Sequence, residues 1–228
     1  ICRNRKARGV RLDSGEEIAA RLVVSSCDVK RTYLKLIERE DLSPSFIRKV
    51  ERFKIRGSSG KVNIALDGLP RFPALADDSP YYRGDLHFTD SIDRIERAYD
   101  DWKAGRFSRD PMLDVLIPTQ LDPTMVPPGK HYMTCFAQYC PPLIEGREWS
   151  NADRDAFGRT VIDQIASYSP NFKSLILHAE VRSPRELEAE VGLTEGNIFH
   201  GELTFDQLLF NRPFPGYAQY RGALRNFY

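Results

Sequence analysis

The sequence has little of what marks a membrane, secreted or nucleic-acid-binding protein. No apolar run approaches the roughly 20 residues that a membrane-spanning helix needs, and no secretory signal pattern opens the chain. The formal net charge is only +1 and no basic stripe lies along a predicted helix, so nucleic-acid binding is not expected. We predict a soluble intracellular protein, located in the cytoplasm or, in a eukaryote, alternatively in the mitochondrial matrix.

Cysteine is also scarce, and its four positions are Cys2, Cys27, Cys135 and Cys140. Four cysteines in a chain of 228 residues are too few for a disulfide scaffold. Cys135 and Cys140 flank a strand-like segment, but no nearby histidine completes a zinc-binding set with them. We predict buried free thiols and no metal site. Burial raises the pKa of a thiol, which argues against either cysteine as a nucleophile.

No complete catalytic or nucleotide-binding motif is present. The stretch GSSGK at 57–61 has two residues between its glycines instead of four, and Val62 stands where a phosphate-binding loop has Ser or Thr. No strand is followed by a glycine-rich turn into a helix. His87, His131 and His178 each stand alone, without a second ligand at helical or hairpin spacing. Motifs alone therefore do not identify an enzyme.

The hydrophobic pattern predicts a folded chain of strands and helices. Hydrophobic residues make up 41% of the sequence and charged residues 29%, which is typical of globular domains. A hairpin is predicted around Asp13-Ser14-Gly15, followed by an apolar strand at Leu22-Val23-Val24. Further strands are predicted at 61–68, 113–119 and 131–140, and helices from Ser43-Pro44, over 89–105, from Ser150 and from Ser183 to Gly192. This irregular order predicts an α+β fold, with a mixed, largely antiparallel sheet and helices packed on one face.

Capping signals and apolar stripes define the predicted helices further. Ser150 with Asp153, and Ser183 with Glu186, form capping boxes that start the two later helices. Two earlier helices are predicted to bury an apolar stripe, one made of Phe46, Ile47, Val50 and Phe53 and the other of Ile92, Ile95, Tyr99 and Trp102.

Segments near the two ends of the chain are similar to one enzyme family. GVRLDSGEEIAARLVVSSCDVKRTYLKLI (9–37) resembles the hairpin and strand that lead from the flavin domain into the substrate domain of phytoene-desaturase-like FAD oxidoreductases. GNIFHGELTFDQLLFNRPFPGYAQYRGALRNFY (196–228) resembles the stretch before the C-terminal flavin motif of the same family. Between them, KVNIALDGLPRF, LIPTQLDPTMVPPGKH and FAQYCPP are similar to one branch of that family.

The resemblance implies a division of the chain and a function. Residues 1–28 would be a hairpin and strand at the edge of the FAD domain, 29–210 the substrate-binding domain, and 211–228 a return segment toward the flavin. The glycine-rich FAD motifs of the family are not in this sequence, so the resemblance implies a substrate-binding region severed from its flavin domain, inactive alone and without tight FAD binding. The parent would be an FAD-dependent oxidoreductase that transfers hydride from an apolar substrate to the flavin. The alternative is a non-catalytic binding or protein-interaction domain that has kept the oxidoreductase shape.

The resemblance also implies which residues face the substrate and flavin. In the family, the segment matching FHGELTFDQLLFNRP approaches the flavin from the substrate side. The candidate residues for this pocket are His200, Gln207, Arg212, Phe199, Phe210 and Phe214. The alternative for each is ordinary packing or a hydrogen bond to the backbone.

The partners that the resemblance implies are a small apolar substrate and the missing flavin domain. The surfaces of 1–26 and 210–228 would then expose apolar area that normally lies at an interface. Exposed apolar patches promote association, so we expect self-association through them.

Overall fold

The computed structural model describes all 228 residues, and the chain forms two compact units. Unit 1 comprises Ile1–Arg56 and Glu188–Tyr228, and unit 2 comprises Gly57–Leu187. The strands are β1 (Cys2–Arg3), β2 (Lys6–Ala7), β3 (Gly9–Arg11), β4 (Glu17–Ala19), β5 (Ser59–Leu66), β6 (Leu86–His87), β7 (Met112–Leu116), β8 (His131–Gln138) and β9 (Ile176–Arg182). The α-helices are α1 (Val29–Arg31), α2 (Pro44–Arg52), α3 (Ile92–Lys103), α4 (Asn151–Tyr168), α5 (Phe172–Leu175) and α6 (Pro184–Val191).

Unit 2 is organised by a five-stranded sheet with the strand order β6-β7-β8-β5-β9. Every ladder in this sheet is antiparallel, with β5 in the middle of the longest pairings. The α+β fold with a largely antiparallel sheet is therefore confirmed. The parallel pairings of the structure are two isolated bridges in unit 1, Lys6 with Arg225 and Val23 with Phe227.

One face of the sheet carries the core of unit 2. Along β5, Val62, Ile64 and Leu66 are completely buried, and they alternate with more exposed positions as the sequence pattern predicts. Helix α4 contributes Phe157 and Val161 to the same core. Helix α4 therefore packs on this face of the sheet, as predicted.

Helix α4 begins where the sequence predicts it to begin. Asp153 N–H donates to Ser150 Oγ at 3.2 Å, and Ser150 N–H donates to the Asp153 carboxylate at 2.8 Å. This reciprocal pair satisfies two backbone donors that a helix start leaves without intrahelical partners. The predicted capping box is confirmed.

Helix α3 differs from its prediction. Ile92 is 78% exposed, whereas the buried residues of α3 are Ala98, Asp101 and Trp102. Asp101 occupies a core-side position because its carboxylate accepts hydrogen bonds from Arg109 N–H at 3.1 Å and from the Arg109 guanidinium. The apolar stripe predicted to include Ile92 is wrong at that residue, since it stands in the first turn of the helix.

Unit 1 has less regular structure. Hairpins β1–β2 and β3–β4 are each two-stranded, and α1 continues into a π-helical turn at Thr32–Leu36 that the sequence did not predict. The predicted strand at 22–24 is wrong, because Val23 forms only a single bridge, to Phe227, and its two neighbours in the segment are exposed. The core of unit 1 packs Phe46, Ile47 and Val50 of α2 with residues from both ends of the chain.

No helix has both the length and the apolar character needed to cross a membrane. The domain boundaries implied by the family resemblance remain a prediction about a longer protein. The two compact units reflect packing within this chain alone.

Candidate functional site

The candidate site is an aromatic cavity of about 600 Å³ in unit 1. Its volume lies within the range of small-molecule sites. Its wall consists of Val24, Ser25, Cys27, Asp28, Val29, Thr32, Tyr33, Phe46, Phe53, Phe199, His200, Arg212, Pro213, Tyr217, Tyr220, Arg221, Gly222, Phe227 and Tyr228. Eight of these residues are Phe or Tyr, so the wall is suited to an apolar molecule with a few polar contacts.

Helix α2 anchors the aromatic part of the wall. Ser43 Oγ accepts a hydrogen bond from Phe46 N–H at 3.3 Å, which fixes the start of the helix and the position of Phe46. The Phe46 ring packs edge-on against Tyr33 at 4.7 Å and Tyr217 at 5.0 Å between centroids. These edge-to-face contacts join α2, the turn after α1 and the C-terminal segment into one aromatic surface.

A tight turn brings Phe199 and His200 to the cavity. The buried side chain of Asn197 holds this turn, since its carbonyl oxygen accepts from Phe199 N–H at 2.8 Å and its amide donates to Arg56 O at 2.9 Å. The backbone of Gly201 has a φ of +149°, and a Cβ there would lie 2.4 Å from the Phe53 ring. Glycine therefore permits the close approach of the turn to Phe53.

Arg212 stabilises the same turn through hydrogen bonds to its backbone. Its guanidinium donates to the backbone carbonyls of Phe199 and Gly201, and to Glu202 O at 3.4 Å. Its charge also lies 6.0 Å from the centroid of Phe53, within cation–π range. Burial lowers the pKa of Arg212 below its ordinary value, although a guanidinium stays protonated. Arg212 thus places a positive charge in a largely aromatic wall.

Three of the six residues predicted from the resemblance line this cavity, and three lie elsewhere. Phe199, His200 and Arg212 are in the wall. Phe214 is buried in the core of unit 1, and Phe210 is 75% exposed and outside the wall.

Gln207 has a structural environment. It is buried, and its side chain accepts from Lys54 N–H at 2.7 Å and donates to Lys54 O at 2.9 Å. It donates a further bond to Glu202 O at 3.2 Å. These three bonds pair Gln207 with backbone groups as a neighbouring strand would.

Sequence reasoning missed Asp28, another residue of the cavity wall. Asp28 is almost completely buried, caps α1 by accepting from Arg31 N–H at 2.9 Å, and also accepts from Thr194 N–H and Oγ1, each at 3.0 Å. The available signal was the Asp directly before Val29, which is a common helix-start pattern. Its link to Thr194 joins distant parts of the chain and has no local signature.

The structure also corrects the prediction for His87. His87 and Asp114 are directly opposite in the β6–β7 ladder, with Nδ1 2.5 Å from the carboxylate, and Nε2 lies 3.6 Å from Asp85. His87 therefore does not stand alone, and these three side chains form a group that could hold a metal ion. The two ring nitrogens face different carboxylates, which is the geometry of an imidazole bridging two acids. Burial raises the pKa of Asp114, and the nearby His87 partly offsets this rise.

The two cysteines of unit 2 are buried, as predicted. Cys135 and Cys140 are both 0% exposed and free. Burial raises the pKa of Cys135 to about 12 and that of Cys140 well above its ordinary value. A thiol with such a pKa is not a thiolate nucleophile at neutral pH.

Comparison with known proteins relates the chain to oxidoreductases. It is homologous to part of pyridine nucleotide-disulfide oxidoreductase domain-containing protein 2, and with the Mus musculus protein it shares 35% identity over 231 aligned residues, covering 98% of this chain and 40% of that protein. This is the branch of the family to which the middle segments were similar, so the resemblance is confirmed. The chain spans about 40% of the length of these curated relatives.

Two further comparisons gave weaker similarities. The 4,4'-diaponeurosporene oxygenase of Staphylococcus aureus is 24% identical over 196 residues, covering 86% of this chain and 37% of that protein. A crystal structure of an oxidoreductase from Methanosarcina mazei matches 80% of this chain and 35% of that chain, with 15% identity and a TM-score of 0.39. No protein-family model matches the chain.

Proposed function

We propose that this chain supplies the substrate-binding region of an FAD-dependent oxidoreductase that oxidises a small apolar substrate, as a desaturase or dehydrogenase does. The observation that carries the proposal is the aromatic cavity of about 600 Å³ in unit 1. The homology to oxidoreductases supports the reaction class. The aromatic wall supports an apolar substrate, because eight of its 19 residues are Phe or Tyr.

The strands of this chain do not build a dinucleotide-binding fold. A dinucleotide fold needs parallel strands joined through a helix whose N-terminus faces the phosphates, whereas the ladders of this chain are all antiparallel. We propose that FAD is held by other residues of a longer protein, in line with relatives of which the chain spans about 40%. The role proposed for this chain is to bind and orient the substrate.

Within that role, the wall residues have distinct tasks. The rings of Phe46 and Phe53 provide apolar contact on the helical side, and Phe199 provides it on the side of the turn. Arg212 acts as a positioning residue, since its hydrogen bonds to backbone carbonyls keep the turn closed over Phe53. Burial of an apolar ligand between these rings supplies binding free energy at about 25 cal/mol per Å² of apolar surface.

A fluorescent polyene fatty acid, cis-parinaric acid, tests the binding role directly. We expect saturable binding to the 228-residue chain, and about tenfold weaker binding in Phe199→Ala, which corresponds to about 1.4 kcal/mol. Phe210→Ala is the matched control, because it makes the same change in an exposed ring outside the cavity. Absence of binding, or equal weakening by both variants, would remove the cavity as the substrate site.

The FAD requirement is tested on a full-length protein that contains this chain. We expect it to purify yellow with stoichiometric FAD, whereas the 228-residue chain titrated with FAD shows no tight binding at a flavin site. A full-length protein that is colourless and takes up no FAD would favour the alternative, a non-catalytic binding domain. Polyene binding by the chain would stand in either case, so the two parts of the proposal fail independently.

A further inference from the structure

Unit 1 contains a second cavity, which is basic where the first is aromatic. Its volume is about 770 Å³, and it is formed by the two hairpins at the start of the chain together with one residue near the end. Its wall consists of Ile1, Arg3, Lys6, Arg8, Glu17, Ala19, Ala20, Arg21 and Asn226. Four of these nine residues are Lys or Arg, and one is acidic.

Strand geometry places the cationic side chains on one face. Arg3 and Lys6 are directly opposite in the β1–β2 ladder, so their side chains point to the same side. Arg8 follows Lys6 by two positions, which returns it to that side in extended chain. The other side of the hairpin carries Ala7, which is buried in the core of unit 1, and Cys2, which packs against it. The core therefore fixes which face is turned to the cavity.

A backbone hydrogen bond connects this face to the fourth cation. Ala20 N–H donates to Arg8 O at 2.8 Å, which joins the segment after β4 to the segment between β2 and β3. Asn226 Nδ2 donates to Arg21 O at 2.8 Å and holds the backbone of the next residue. Arg21 is thereby brought to the same cavity as Arg8.

The four cations have no acidic partners within the chain. Arg3, Lys6, Arg8 and Arg21 make none of the ion pairs of this structure. Like charges directly opposite in a ladder, such as Arg3 and Lys6, destabilise the pairing. A bound anion would replace this repulsion with charge-assisted hydrogen bonds.

We propose that this cavity binds a phosphate-bearing small molecule of about nucleotide size. Phosphate fits because the arginine guanidinium forms two parallel hydrogen bonds with it, and three of the four cations are arginines. The size follows from the cavity volume, which lies within the range of small-molecule sites. A long polyanion is disfavoured, because the whole chain has a net charge of only +1.

The proposal does not rest on an FAD-dependent activity. The proposed ligand is anionic, whereas the ligand proposed for the aromatic cavity is apolar. The basic cavity shares no wall residue with the aromatic cavity. The phosphate could belong to a free nucleotide or to a flavin dinucleotide, so both are used as probes.

The experiment is calorimetric titration of the 228-residue chain with sodium pyrophosphate, ADP and FAD. We expect saturable binding of pyrophosphate and ADP that weakens severalfold between about 0.05 M and about 0.3 M salt, since screening reduces the attraction. The double variant Arg3→Gln/Lys6→Gln should bind at least about tenfold more weakly, as two charge-assisted contacts are lost. The single variant Arg8→Gln is a second test should the double variant fail to fold.

Arg11→Gln is the matched control, since Arg11 lies on β3 in the same unit and outside the cavity. It removes one positive charge, as Arg8→Gln does, and should leave the affinity unchanged. Equal weakening by Arg11→Gln and Arg8→Gln would show that the attraction is non-specific. The absence of heat on titration with millimolar pyrophosphate or ADP would show that the cavity is not a phosphate site. Either result overturns the proposal. FAD binding without pyrophosphate or ADP binding would likewise overturn the proposal, because the phosphates would then not be the recognised group.

Discussion

The two compact units of the chain achieve their folded structures by different means. Unit 2 buries 17 residues in a core built on one face of a five-stranded sheet, whereas unit 1 buries nine in its core. Unit 1 nevertheless contains both cavities. The regular ladders of unit 2 pair its backbone groups with one another, and its candidate ligand group is the cluster of Asp85, His87 and Asp114. The irregular segments of unit 1 leave room for binding surfaces.

In unit 1, polar side chains replace regular secondary structure. Gln207, Asn197 and Arg212 all bond to backbone groups of neighbouring segments, and Asp28 links α1 to Thr194. Each such bond contributes about 1 kcal/mol, and its loss leaves a buried group unpaired. Unit 1 therefore depends on individual side chains, while unit 2 depends on the cooperative packing of many.

The largest effect is expected from removing a central ring of the unit 2 core. Phe157 is completely buried and packs against Phe107 and Trp149. We expect Phe157→Ala to lower the free energy of unfolding by about 4 kcal/mol, because a large cavity forms where the surroundings cannot collapse. Phe214→Ala in the smaller unit 1 core should cost about 2 to 3 kcal/mol.

Urea unfolding followed by circular dichroism measures both losses. Phe210→Ala is the control, since this exposed ring should change stability by less than about 0.5 kcal/mol. If Phe214→Ala were as costly as Phe157→Ala, the contrast between a large and a small core would not hold.

The next effect concerns the turn of unit 1 that carries Phe199 and His200. Gly201 and Gly216 both have a positive φ, but a Cβ at Gly201 meets the Phe53 ring whereas one at Gly216 meets nothing within 4 Å. We expect Gly216→Ala to cost about 1 kcal/mol for its backbone conformation alone. Gly201→Ala should cost about 3 kcal/mol, since overpacking is added to that strain. Thermal unfolding measures both variants, and equal costs would show that the turn does not depend on its approach to Phe53.

Local signals in the sequence predicted much of the fold of unit 2. Alternating apolar residues located β5, β7 and β8, and the Ser150–Asp153 pair located the start of α4, because these patterns act within a few residues. The prediction that Ile92 is buried was wrong, because Ile92 stands in the first turn of α3 and the apolar pattern does not show where along a helix its packing begins. The pairing of His87 with Asp114 was also missed, because a ladder between distant segments has no local spacing.

The candidate site was less predictable, for a physical reason. The segment 196–217 has no regular period, so its sequence does not show which side chains turn inward. The structure places Phe199, His200 and Arg212 in the cavity wall, and uses Gln207 and Phe214 for hydrogen bonding and packing. Tertiary contacts with residues before position 56 decide between these roles.

The smallest effect tests whether a single half-buried carboxylate also contributes to the stability of unit 2. Hydrogen bonds from Arg147 and then Ser150 lower the pKa of Asp153 well below its ordinary value of 3.8. A carboxylate whose folded pKa is lowered stabilises the folded state above its unfolded pKa, and the contribution is lost as the pH falls through that value toward the folded pKa. We expect Asp153→Ala to cost about 1 kcal/mol at pH 7, as loss of a capping interaction does, and less at pH 3.

Urea unfolding of wild type and variant at a series of pH values between 7 and 3 measures this dependence. Asp155→Ala is the matched control, since Asp155 is exposed on the same helix and should change stability by less than about 0.5 kcal/mol throughout. A cost of Asp153→Ala that stays constant with pH would show that the helix start depends on packing alone. A cost that falls with pH would show that unit 2, despite its large core, also takes part of its stability from one charged side chain.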